Sequence, residues 1–151
     1  MRKATKRQHY HLRDPISHAI LGACITPDEA LNKLLVRELA SLDAMSKGMG
    51  GIQEWRDLAD ICNLCETMAN SGIGPEALPD CAKLQADLIL AARRYEETKA
   101  MGLTAQGLQA AREVIDWHSL QRKSVARSVY EAMIKRTRDR IKSGAAEVIA
   151  L

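Results

Sequence analysis

Between Leu31 and Met45 the apolar positions recur at steps of three and four: Leu31, Leu34, Leu35, Leu39, Leu42 and Met45. That period lays them on one face of an α-helix. Thr26-Pro27-Asp28-Glu29 precedes the stripe and reads as an N-cap, a first-turn proline and a capping-box glutamate, with the acids on the positive end of the helix dipole. Gly48-Met49-Gly50-Gly51 stops it. A second stripe, Trp55, Leu58, Ala59, Cys62, Cys65 and Ala69, predicts a helix over about 52–71, ended by Gly72 in a left-handed conformation. A third runs through Cys81, Leu84, Leu88, Ala91 or Ala92, and Tyr95 as far as Gly102, and either Pro75 or Pro79 opens it.

Thr104 caps a further helix carrying Leu108, Ala111, Val114, Ile115, His118 and Leu120. Ser128-x-x-Glu131 is a second capping box and opens a last helix through Ile141, closed by Gly144. Upstream, Asp14-Pro15 begins a short helix that reaches about Cys24. Strand-like alternation bounded by hairpin turns is missing throughout. The pattern predicts an all-α antiparallel bundle of five or six helices, one domain over 14–144, flanked by a basic arm at 1–13 and an apolar tail at 145–151.

Composition agrees with helices. Aromatic residues make up only 3%, Phe is absent, and the apolar side chains are mostly Leu, Ala, Ile and Met. No apolar run approaches the roughly 20 residues that span a bilayer. The opening MRKATKRQHYHLRD lacks the apolar core and cleavage site of a secretory signal, so the expectation is a cytoplasmic protein with reduced cysteines.

Charge adds a segregation that the net +3 hides. Residues 1–13 hold Arg2, Lys3, Lys6, Arg7 and Arg13 and no acid, and residues 122–142 hold eight basic side chains against two acidic ones. The body between them is acidic. Such an arrangement suits nucleic acid, an acidic partner, or the protein's own opposed segments. The nucleic-acid candidates are Arg2, Lys3, Lys6 and Arg7 on the arm, with Lys135, Arg136, Arg138, Arg140 and Lys142 on the last helix. No helix-turn-helix spacing supports base-specific reading.

Chemistry-bearing motifs are sparse. Cys62 and Cys65 form a Cys-x-x-Cys pair that Cys24 and Cys81 could complete as a zinc tetrad, but the pair sits inside a patterned helix rather than on turns. Core cysteines are the better reading, and no metal or other cofactor is expected. Gly72-Ile73-Gly74 lacks the preceding strand and third glycine of a dinucleotide loop. Arg112 and His118 resemble the paired Arg and His of HEPN ribonucleases, where such residues stabilise charge and move protons during RNA cleavage. Six residues along a continuous helix, however, leave the two side chains about 120° apart, and Glu113 stands where that family has another polar residue. No catalytic set is expected. The apolar tail could dock back onto the bundle or pack on a second copy, and self-association as a homodimer is the favoured expectation.

Taken whole, the chain resembles small helical proteins of unknown function encoded by temperate phages and prophages of Proteobacteria. The resemblance rests on the basic arm, LRDPISHAILG, IQEWRDLADICNLCETMANSGIGPEALPDC and LTAQGLQAAREVIDWHSLQRKS. It implies a non-enzymatic accessory protein in the host cytoplasm that binds a host or phage protein and regulates host or phage processes, antagonism of host defence among them. Nucleic-acid binding and HEPN-like RNA cleavage stand as the alternatives.

Overall fold

The structure, a computed structural model, describes residues 26–144; the basic arm, the predicted helix over 15–24 and the apolar tail lie outside them. Five α-helices and a 3-10 turn follow in order: α1 (Asp28–Ser46), α2 (Ile52–Asn70), the turn Pro75–Ala77, α3 (Leu78–Thr98), α4 (Ala105–Ser124) and α5 (Arg127–Lys142). No strand occurs among the described residues, and the helices pack on one another as an all-α bundle. Helices α2 and α4 touch along the middle; α1 covers them on one side, α3 on the other, and α5 leans on the outside of α2. The described helices include none long and apolar enough to cross a membrane.

The core forms where the stripes predict. Leu58, Cys62 and Cys65 of α2, Cys81, Leu84, Ala91 and Ala92 of α3, and Ala111, Val114 and Ile115 of α4 are buried together. Trp55 fills the α2–α3 contact, its indole N–H donating to the Leu88 carbonyl at 2.9 Å. Gly72 does end α2: it sits at φ 88°, and the Ile73 N–H reaches back to the Met68 carbonyl at 2.9 Å. Both prolines then find a use, since Pro75 opens the 3-10 turn and Pro79 lies in the first turn of α3, where its missing N–H leaves no bond unmade.

Several local expectations are corrected. α1 starts at Asp28 with the Pro27 carbonyl accepting from Ala30 and Leu31, so the Thr26 capping box is not made, and Glu29 pairs with Lys33 at 3.1 Å instead. α5 starts at Arg127, and Glu131 turns back to Arg127 at 2.8 Å rather than capping with Ser128. α3 ends at Thr98, ahead of Gly102, because Lys99 takes the left-handed conformation at φ 58°. On α1, Leu34 and Leu39 face solvent while Glu38 and Ser41 are buried, each held by a polar partner; on α4, Leu120 is exposed.

The cap of α4 combines three groups. Thr104 Oγ1 accepts the Gly107 N–H at 3.0 Å, and the Asp87 carboxylate from α3 accepts both the Thr104 N–H and its hydroxyl, each at 2.9 Å. One carboxylate thus fixes both the start of α4 and its seat on α3. The close fit requires glycine at 107, where a Cβ would fall 1.7 Å from Asp87 Oδ2. Gly107→Ala should therefore destabilise the fold by about 1–3 kcal/mol in urea unfolding, whereas Gly102→Ala, which meets nothing within 4 Å, should leave the midpoint close to wild type.

Candidate functional site

The residues with the greatest chemical capacity converge at the C-terminal end of α4, and they are sealed. His118, Gln121 and Arg122 project from one side of that helix into the contact with α1 and α2. Arg122 meets Glu38 of α1 in a two-pronged ion pair, Nη2 to Oε2 at 2.7 Å with Nη1 on Oε1, and both side chains are buried. Gln121 donates from Nε2 to the Ile73 carbonyl at 2.8 Å and the Cys65 carbonyl at 3.2 Å. Its Oε1 is left to accept, so the 3.1 Å contact with His118 Nδ1 has the imidazole donating. That assigns the tautomer. His118 Nε2 then accepts from the Tyr130 hydroxyl of α5 at 3.3 Å, and the charge of Arg122 lies close to both rings.

His118 is only 1% exposed. Burial first, and the Arg122 charge second, hold its pKa down to about 3, so the ring is neutral and occupied at both nitrogens. Burial likewise pushes the Tyr130 hydroxyl up. The string reaches from the turn after α2 through α4 to α1 and α5, and it binds the bundle rather than facing solvent. Arg112 is exposed, about 120° round α4 from the buried His118, so the structure does not bring the two together.

The three described cysteines belong to the core. Cys62 donates from Sγ to the Cys81 carbonyl at 3.5 Å, and Cys62, Cys65 and Cys81 are all buried. Hydrogen bonding to Cys81, then burial, raises the Cys62 and Cys65 thiols well above the ordinary range. Those same contacts pull the Cys81 thiol down. Among the described residues no group of three or more His, Cys, Asp or Glu side chains is disposed to hold a metal ion. Cys24 lies outside them.

The basic candidates divide. Arg2, Lys3, Lys6 and Arg7 lie outside the described residues. Arg140 is half-buried and ion-paired with Glu66 of α2, and Arg136 donates to Ser71 Oγ at 3.3 Å, so both help to seat α5. Lys135, Arg138 and Lys142 are exposed on its outer face, Arg138 within electrostatic reach of Asp60.

A groove that the sequence reading did not anticipate runs along the outside of α3 and α4, with a volume of about 570 Å³. Its floor is Ala86, Leu90, Gly107 and Ala110, and its rim carries Asp80, Lys83 and Glu113. Leu90 is 52% exposed. Only the surplus of a leucine at the edge of the α3 stripe could have signalled it. Comparison of the chain with family models, with curated proteins and with solved structures finds no match.

Two measurements follow from the buried string. Arg122→Ala leaves Glu38 buried without its partner and should cost about 3–5 kcal/mol, read by urea unfolding. For His118 the folded pKa of about 3 lies below the unfolded 6.5, so the unfolded chain binds more protons between them. Stability is therefore complete above pH 6.5 and falls as pH drops from there toward 3. His118→Leu should flatten that dependence between pH 6.5 and 5, where few carboxylates titrate, whatever its stability at neutral pH.

Proposed function

We propose that this chain is a non-enzymatic accessory protein of phage or prophage origin that works in the host cytoplasm by binding a protein partner and so regulating a host or phage process. The observation that carries the reading is the α3–α4 groove: an apolar floor of Ala86 and Leu90 from α3 with Gly107 and Ala110 from α4, bordered by Asp80, Lys83 and Glu113. A trough of that kind fits the apolar ridge of an amphipathic helix whose flanks are basic. The resemblance to small helical phage proteins supplies the biological setting. Against chemistry at the histidine, His118 has both nitrogens occupied inside the bundle.

Affinity purification from nuclease-treated bacterial lysate tests it. A partner retained by the wild type should be lost, by about tenfold or more, from Leu90→Asp and from Glu113→Lys, and kept by Val36→Glu on α1. Retention by all three variants would remove the groove from the reading.

A second reading is favoured by the outward placement of Lys135, Arg138 and Lys142 on α5. There the partner is nucleic acid, held through phosphates. Affinity for a mixed-sequence duplex should then fall by orders of magnitude between 50 and 200 mM salt, as for any protein making several phosphate contacts. Lys135→Glu with Arg138→Glu should weaken it further, and binding that barely responds to salt would exclude this mode.

A further inference from the structure

The outer face of α1 carries a second periodic stripe, separate from the one that enters the core. Glu29, Asn32, Val36, Leu39 and Asp43 are spaced by alternating steps of three and four, with Lys33, Ala40 and Lys47 beside them. All eight are exposed, and Val36 is 66% exposed. The spacing is that of the contact seam of a coiled coil. Its middle is aliphatic and its ends are charged.

The charges have an order. Toward the N-terminus stand Glu29 and Lys33, paired at 3.1 Å; toward the C-terminus stand Asp43 and Lys47, paired at 2.7 Å. Reading outward from Val36 and Leu39, the nearer charge is positive at one end (Lys33) and negative at the other (Asp43), and the farther charge is negative (Glu29) and then positive (Lys47). If a second α1 is laid antiparallel with the aliphatic centres together, each Glu29 falls opposite a Lys47 and each Lys33 opposite an Asp43. A parallel pair would set Glu29 on Glu29 and Lys47 on Lys47. The seam is therefore complementary to itself in one orientation only, and that orientation has the two-fold symmetry of a closed dimer.

We propose that this face of α1 is the contact for a second copy of the chain, two α1 helices crossing antiparallel about an axis near residues 37 and 38. The contact is independent of the α3–α4 groove. A single helix pair about 28 Å long, with charges on its rim, makes a modest and salt-sensitive association.

Sedimentation velocity over a concentration series tests this with the full chain. Wild type should dimerise more strongly at low than at high salt. Val36→Glu should weaken the dimer by about tenfold or more, Glu29→Lys should weaken it less, and Glu29→Lys with Lys47→Glu should restore it, because both interchain pairs are then inverted together. Leu90→Asp should leave it unchanged, which separates this contact from the groove. Orientation is read by oxidative crosslinking in a Cys24→Ser background. A mixture of Glu29→Cys and Lys47→Cys chains should crosslink, and Glu29→Cys alone should not. A wild type that stays monomeric throughout, a dimer indifferent to Val36→Glu, or efficient crosslinking of Glu29→Cys to itself would overturn the proposal.

Discussion

The buried pairing of Arg122 with Glu38 governs how the rest of the molecule is arranged. Two opposite charges removed from water contribute little net stability, but either one alone is costly, so any packing that separates them is excluded. α1 must therefore present Glu38 to α4, and that rotation decides which leucines are covered. Leu31, Leu42 and Met45 enter the core beside Glu38, while Leu39 is carried outward. The other end of the constraint lies on α4. With Arg122 pointing at α1, Gln121 and His118 are directed into the contacts with α2 and α5, where each polar atom meets a partner.

Much of this arrangement was legible in the residues. Stripes on α2, α3 and α4 fall where the three- and four-residue spacing puts them, because those helices are covered by apolar neighbours and follow the simple rule that apolar side chains face inward. Gly72 acts as a stop through its own backbone geometry, and Thr104 as a start through its hydroxyl on the nearby Gly107 N–H, to which Asp87 adds a bond from α3. The α1 stripe was misread for a non-local reason: a glutamate 84 residues away from its arginine occupies a core position that spacing assigns to leucine. The capping boxes at Thr26 and Ser128 failed through local competition, as Glu29 and Glu131 each have a cation one turn away.

The candidate surfaces were less legible still. A groove exists only after two helices have been set side by side, and the small residues of its floor, Ala86, Gly107 and Ala110, carry no chemical signature. Gly107 is small because Asp87 must reach the start of α4, so the demand of a cap produces part of the concavity. The basic character of α5 was plain from composition, but its division into anchoring and outward cations was not: Arg140 and Lys142 differ by two positions in sequence and by most of the helix's width in space.

The indole of Trp55 has an optical consequence. With no phenylalanine and only two tryptophans, the near-ultraviolet circular dichroism of this chain is dominated by Trp55 and Trp117. Trp55 is buried and hydrogen-bonded to a carbonyl of the neighbouring helix, whereas Trp117 is only partly covered on α4. Its rigid asymmetric surroundings make Trp55 the stronger chiral chromophore, so that band reports whether α2 and α3 are in register. Far-ultraviolet ellipticity, by contrast, follows helix content alone, and the two signals together distinguish a bundle that has loosened from one that has unwound.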